Sequence, residues 1–188
     1  LTENGTYRVR INGAGDDTGN YSFSLRDLEQ ATSATLDQVY SGILEPGEAS
    51  HLYQFTATAN QRLFIDYQDN SGSVYNDRAK WILYDSGNQE VASSYTGDYI
   101  EVVLDADDTY ILAIEGDRED IPVEYSFEII TPDELSTPIV FNTLIENGIS
   151  EKGEQDRFTF TGQQGQRISL DVVNRSFNTS AQLIGPSG

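Results

Sequence analysis

Leu1-Thr-Glu-Asn-Gly-Thr-Tyr-Arg-Val-Arg-Ile-Asn-Gly13 and Leu104-Asp-Ala-Asp-Asp-Thr-Tyr-Ile-Leu-Ala-Ile-Glu-Gly116 align without a gap, sharing Leu, Thr-Tyr, Ile and the final Gly. Each stretch is followed by an acidic loop and then by a second matching strand pattern, Tyr21-Ser-Phe-Ser-Leu25 or Tyr125-Ser-Phe-Glu-Ile129. Self-similarity at a fixed period decides architecture before any local reading does.

A second pair lies elsewhere in the chain. Tyr53-Gln-Phe-Thr56 and Gln61-Arg-Leu-Phe-Ile-Asp66 correspond to Phe158-Thr-Phe-Thr161 and Gln166-Arg-Ile-Ser-Leu-Asp171, and Ile82-Leu-Tyr-Asp-Ser-Gly87 resembles Leu183-Ile-Gly-Pro-Ser-Gly188. Leu1 to Leu104 is a step of 103 residues and Gln61 to Gln166 a step of 105. A period near 104 is the size of one β-sandwich domain. The order of the matches predicts that residues 1–28 are the last strands of one repeat, 36–131 a complete β-sandwich repeat, and 138–188 the first half of a further one. The polar stretches 27–35 and 131–138 fall at equivalent places, and Pro132 and Pro138 favour extended linker backbone. A chain that starts in mid-pattern, at Leu1, reads as a piece of something longer.

Within the central repeat, apolar and polar residues alternate with period two in His51–Ala57, Arg62–Tyr67, Tyr99–Leu104, Thr109–Ile114 and Val123–Ile129. That period marks strands with one face buried. Glu45-Pro-Gly47, Asn70-Ser-Gly72, Asp85-Ser-Gly-Asn88 and Thr96-Gly-Asp98 supply turn chemistry between them. The expectation is an all-β chain of tandem antiparallel β-sandwich modules, jelly-roll or immunoglobulin-like, with seven or eight strands each.

Composition narrows the function. The 188 residues carry 31 Asp and Glu against 11 Lys and Arg, a formal charge of −20. Such a chain repels phosphate backbones and anionic membrane surfaces, which excludes nucleic acid as a partner. No apolar run approaches 18 residues, so no insertion into a membrane is expected. With no Cys there is no disulfide, thiolate zinc site or cysteine nucleophile. His51 is the one histidine, and neither a Gly-x-Ser-x-Gly elbow nor a phosphate loop occurs. Histidine is the usual proton shuttle at neutral pH, so a single one at a strand start points to structure rather than catalysis. The chain reads as a non-enzyme.

The acidic loops before each Tyr-Ser-Phe strand are the candidate site. Asp16, Asp17 and Asn20 in one, and Asp117, Glu119 and Asp120 in the other, place oxygen ligands at short spacing beside glycine. That donor set suits Ca²⁺, and no EF-hand ladder accompanies it. Asp105, Asp107 and Asp108 read as a turn, because the equivalent residues 2–5 hold only one carboxylate. Tyr67, Tyr75, Trp81, Tyr84, Tyr95 and Tyr99 crowd the middle of the repeat, and strand parity sends several of them into the core.

The succession Gly47, Tyr53-Gln-Phe55, Gln61-Arg-Leu63, Leu83-Tyr-Asp-Ser-Gly87, Asp108-Thr-Tyr-Ile-Leu112 and Tyr125-Ser-Phe127 resembles bacterial pre-peptidase C-terminal domains. The resemblance implies jelly-roll-type sandwiches appended to secreted proteases or strung along large surface proteins, some binding Ca²⁺ and some binding extracellular polymers. This chain departs from that setting in showing no peptidase domain, and no calcium shell transfers residue by residue. The expected function is a non-catalytic structural or adhesive repeat of a large secreted or cell-surface protein, calcium-stabilised and fibre-forming. The alternative is an accessory module that holds a secreted hydrolase on a protein or polysaccharide substrate. The expected partners are neighbouring copies of the module and an extracellular polymer. Strands of the type at 1–28 would complement the half-module 138–188 of another chain, although covalent continuation is the simpler expectation.

Overall fold

In the computed structural model, residues 3–68, 79–117, 121–174 and 176–186 are described. They divide into two compact units, Leu1–Pro132 with Glu151–Gly153, and Asp133–Ser150 with Glu154–Gly188.

Among the described residues the first unit holds nine strands: β1 Thr32–Ser33, β2 Val39–Leu44, β3 Ser50–Ala57, β4 Arg62–Tyr67, β5 Ala79–Tyr84, β6 Glu90–Tyr95, β7 Ile100–Val103, β8 Asp108–Gly116 and β9 Val123–Ile130. One sheet runs β1-β3-β8-β5-β6 and the other β2-β9-β4-β7. From β2 onward the chain changes sheet at every connection except β5 to β6, which is the weave of a jelly roll. All these pairings are antiparallel except β1 on β3, where Thr32 faces Tyr53 in a parallel ladder.

Alternation sets the core. On β3 the inward residues are Tyr53, Phe55 and Ala57, on β4 Leu63 and Ile65, and on β8 Tyr110, Leu112 and Ile114. β9 sends in Val123, Tyr125, Phe127 and Ile129, so both sheets interdigitate in one cluster around Trp81 and Phe127. Those two rings meet edge to face at 5.6 Å and 88°, an arrangement that suits their quadrupoles. Of the crowded aromatics, Trp81 is buried and Tyr67 packs against the core. Tyr95 and Tyr99 are exposed and Tyr84 is half-buried, while Tyr75 lies outside the described residues. Turn chemistry closes β5 onto β6 as expected: Asn88 takes a positive φ of 60°, and the Asp85 carboxylate accepts from the Gln89 amide at 2.7 Å, while the expected turn at Asn70-Ser-Gly72 lies outside the described residues.

Residues 3–27 form no strand and are exposed throughout, including the alternating Tyr7, Val9 and Ile11 and Tyr21, Phe23 and Leu25.

The second unit contains β10, Ser136–Pro138, and β11, Arg157–Thr159, paired in parallel with Thr137 facing Phe158. Thr32 to Thr137 and Tyr53 to Phe158 are both steps of 105. The amide of Ala34 donates to the Gln54 carbonyl, and that of Ile139 to the Thr159 carbonyl, each at 2.8 Å and again 105 apart. The turn after β3 recurs with the same step. The Gln61 side-chain oxygen accepts from the Thr58 amide and the Gln166 oxygen from the Gln163 amide, both at 3.0 Å. Asn60 and Gly165, the residues preceding those glutamines, both have positive φ. The remaining apolar residues of this unit, Ile168, Leu170 and Val172 among them, are exposed. Among the described residues no helix is long and apolar enough to cross a membrane.

Candidate functional site

A cleft of about 470 Å³ opens on the first unit, with β2, β3 and β9 supplying its floor and residues 26–32 its rim. The floor exists because Gly42 on β2 faces Tyr125 on β9 across the ladder. A Cβ at Gly42 would lie 2.4 Å from the Tyr125 hydroxyl oxygen, so only a glycine leaves room for that ring to lie over the strand. Tyr125 then reaches from the four-stranded sheet to the inward residues of β3. Its Oη is 2.7 Å from the Tyr53 hydroxyl and 2.6 Å from Nδ1 of His51. The His51 and Tyr125 rings meet edge-on at 5.6 Å.

This Tyr53–Tyr125–His51 chain uses one proton per link and can run in either direction, so every buried hydroxyl finds a partner. Burial raises the Tyr125 phenol far above its ordinary value, and the hydrogen bond it shares with Tyr53 adds to the shift. The phenol therefore stays protonated. Burial also lowers the His51 pKa from 6.5, with the positive charge of Arg26 acting the same way, so the ring stays neutral at pH 7. His51 is thus held by a phenol rather than a carboxylate. Arg26, Gln30 and Ser41 complete the polar lining. Such a cleft offers hydrogen bonds and one guanidinium to a ligand, and no activated nucleophile.

The expected calcium ligands fall elsewhere. Asp16 sits in a turn where the Asp17 amide donates to the Ala14 carbonyl at 3.0 Å, and Asp16, Asp17 and Asn20 are exposed. Asp117 is exposed at the end of β8, and Glu119 and Asp120 lie outside the described residues. Among the described residues no three His, Asp or Glu side chains converge on a point that fits a metal ion. The second acidic cluster behaves as a turn. Asp107 accepts from the Ala59 amide at 2.7 Å, and Asp108 from the amides of Ser86 and Thr109 at 3.0 and 2.8 Å. The bonds from Ser86, then that from Thr109, hold the Asp108 carboxyl below its ordinary pKa.

The cleft was not visible in the sequence. Its signals, a lone His and a Gly in mid-strand, become meaningful only when β9, distant in sequence, brings Tyr125 to them.

No protein-family model matches the chain, and no curated protein matches it. Solved structures that it resembles include the pre-peptidase C-terminal domain of a collagenase from Bacillus anthracis, at 18 % identity and a TM-score of 0.43, covering 53 % of this chain and 94 % of that one. PliG of Aeromonas hydrophila, a periplasmic inhibitor of g-type lysozyme, matches at 15 % identity and 0.43, over 53 % of this chain and 95 % of that one. A mitogen derived from Yersinia pseudotuberculosis matches at 15 % and 0.40, over 51 % and 86 %. Likenesses of this order assign neither an activity nor a ligand.

Proposed function

We propose that the chain is a non-catalytic structural and adhesive stretch of a tandem array, built from β-sandwich repeats of about 104 residues in a large secreted or cell-surface protein. The observation that carries this reading is the 105-residue step, which links a ladder register, a turn hydrogen bond and a positive φ in the sandwich to the same three features in the second unit. A step of 106 links Gly42-Ile-Leu-Glu-Pro-Gly-Glu48 to Gly148-Ile-Ser-Glu-Lys-Gly-Glu154, five of whose seven residues are identical.

A graft tests the array. Appending a second copy of residues 88–131 after Gly188 supplies the strands that follow Gly87 in the sandwich. Amide hydrogen exchange over 158–172 is then expected to slow to the level of 53–67. Continued fast exchange in the grafted chain would refute the repeat.

The cleft favours a second reading, the accessory module that tethers a secreted hydrolase to a polymer. Pull-down on insoluble collagen and polysaccharides, with Arg26→Ala as the control, tests it: loss of binding in the variant supports tethering, and no binding by the parent chain removes it. Calcium stabilisation through Asp16, Asp17, Asn20, Asp117, Glu119 and Asp120 belongs to the same proposal. A melting temperature unmoved by millimolar Ca²⁺ would remove it.

A further inference from the structure

The rim of the cleft is bonded to the sandwich itself. The Ala31 carbonyl accepts from the Gln54 side-chain amide at 3.2 Å, and Thr32 and Ser33 then pair with Tyr53 and Gln54. Just upstream, the Asp27 carboxylate accepts from the Glu29 amide at 3.2 Å, and the Gln30 amide donates to the Asp27 carbonyl at 3.0 Å. These bonds close one tight turn, which brings Arg26, Asp27 and Gln30 to the same cleft.

The charge facing the cleft is uneven. Arg26 has no carboxylate partner among the described residues, although the chain carries 31 Asp and Glu. Burial first, and then the Arg26 charge, lower the His51 pKa, so the guanidinium lies within electrostatic reach of the ring. An unpaired guanidinium is a planar fork of N–H donors that matches a carboxylate.

The hydroxyl chain supplies a second donor. Tyr53 has no acceptor other than Tyr125 among the described residues. If Tyr125 donated to Tyr53, the buried Tyr53 proton would be left without an acceptor. The direction that satisfies every proton therefore runs from Tyr53 to Tyr125 to His51 Nδ1. The neutral ring then carries its own proton on Nε2, an N–H with no partner among the described residues.

We propose that this cleft binds a saccharide bearing a single carboxylate, a hexuronate unit, with the Arg26 guanidinium and His51 Nε2–H taking the carboxylate and Asp27, Gln30 and Ser41 taking ring hydroxyls. The proposal rests on the tethering reading above for its polymer, and on the cleft alone for its chemistry.

Sugar chemistry accounts for the rest of the lining. A ring hydroxyl both donates and accepts, so it pairs with the Asp27 carboxylate, the Gln30 amide or the Ser41 hydroxyl. A bare anion would be repelled by Asp27 and would leave these groups unused. An acidic peptide would bring alkyl stems, against which the lining sets only Ala31 and Leu52 as aliphatic side chains. The volume, about 470 Å³, is that of a small-ligand cleft. Net charge narrows the ligand further. A chain of −20 repels a dense polyanion, but at physiological salt its field is screened within about 8 Å, so one carboxylate beside Arg26 is admitted.

His51 is the one histidine, so its Hε1 resonance reports on this cleft alone. Titrating the 188-residue chain with sodium glucuronate, at constant pH and ionic strength, is expected to shift that resonance saturably with a Kd of about 1 mM, as for a ligand of so few atoms. Glucose is expected to bind at least about tenfold more weakly. Arg26 is exposed, and Arg26→Ala is expected to weaken glucuronate binding at least about tenfold, Arg26→Lys less, with Trp81 fluorescence unchanged in both. No saturable shift, glucose binding as tightly as glucuronate, or an Arg26→Ala variant that binds like the parent would each overturn the proposal. So would acetate binding as tightly as glucuronate, the mark of a bare anion site, or N-acetylglutamate binding more tightly, the mark of a peptide site. Capture of collagen or a neutral polysaccharide by a chain that ignores glucuronate would keep the tethering reading and remove this proposal. A glucuronate site in a chain that captures no polymer would do the reverse.

Discussion

Phe127 and Phe23 occupy the same place in the same Tyr-Ser-Phe pattern, yet one is fully enclosed and the other 61 % exposed. The difference lies in what flanks them. Phe127 sits on β9 between β2 and β4, with Trp81 and Tyr53 pressed against it from the opposite sheet. Among the described residues Phe23 has only Tyr21, two positions away, as a ring partner. Alternation thus specifies which face of a strand is apolar, but burial comes from strands distant in sequence.

The sharpest way to break the comparison is to truncate both rings. Phe127→Ala is expected to cost about 3–5 kcal/mol, because it removes a large buried ring from a close-packed core. Phe23→Ala is expected to stay within about 0.5 kcal/mol for the central module. Urea unfolding followed through Trp81, the single tryptophan, reads both. Equal losses would mean that residues 3–27 fold with the sandwich.

Two glycines sharpen the same contrast at backbone level. Gly42→Ala puts a methyl group 2.4 Å from the Tyr125 hydroxyl and 2.6 Å from its ring carbon, so the ring must move. The expected cost is about 1–3 kcal/mol, as for other overpacked cores. Gly148→Ala meets open space and is expected to be neutral. A neutral Gly42→Ala would show that Tyr125 has another rotamer available and that the cleft floor is adaptable.

A smaller effect separates Tyr125 from Tyr21. Tyr125→Phe keeps the ring but takes away the hydroxyl that pairs with the buried Tyr53 hydroxyl and with His51 Nδ1. An unsatisfied buried polar group costs about 1–3 kcal/mol, reduced here because the cleft admits water to His51. Tyr21→Phe, on an exposed ring, is expected to change nothing measurable in the central melt.

These pairs also show what was legible from the sequence. Arg62–Tyr67 and Val123–Ile129 announced themselves as strands through period-two alternation, a local property, and β4 and β9 formed there. The two-residue parallel strand β1 is too short to carry a period, and its existence depends on Tyr53 lying opposite. The acidic stretch 13–20 was legible as a loop, and Asp105–Asp107 as a turn. Whether their carboxylates converge depends on side-chain directions that spacing does not contain, and Asp107 and Asp108 instead satisfy amides of other loops. The cleft was illegible for the same reason, since Gly42 meets Tyr125 only across the β2–β9 ladder and His51 meets it only across sheets.

His51 marks the last difference between the regions, because its place in the second unit, within Gly153–Arg157, carries no histidine. Its folded pKa is lowered below 6.5 by burial and by Arg26, so between that lowered value and 6.5 the unfolded chain binds more protons than the folded one. Its contribution is therefore complete above pH 6.5 and is lost as pH falls through 6.5 towards the folded value. The carboxylates complicate a raw pH profile, since protonating them in a chain of net −20 relieves repulsion and works in the opposite direction. The informative quantity is the stability difference between the parent chain and His51→Gln, which keeps a hydrogen-bonding group beside Tyr125. That difference is expected to shift in favour of the variant as pH drops below 6.5 and to be flat above it. Parallel profiles across this window would show that the imidazole is solvated at the cleft mouth.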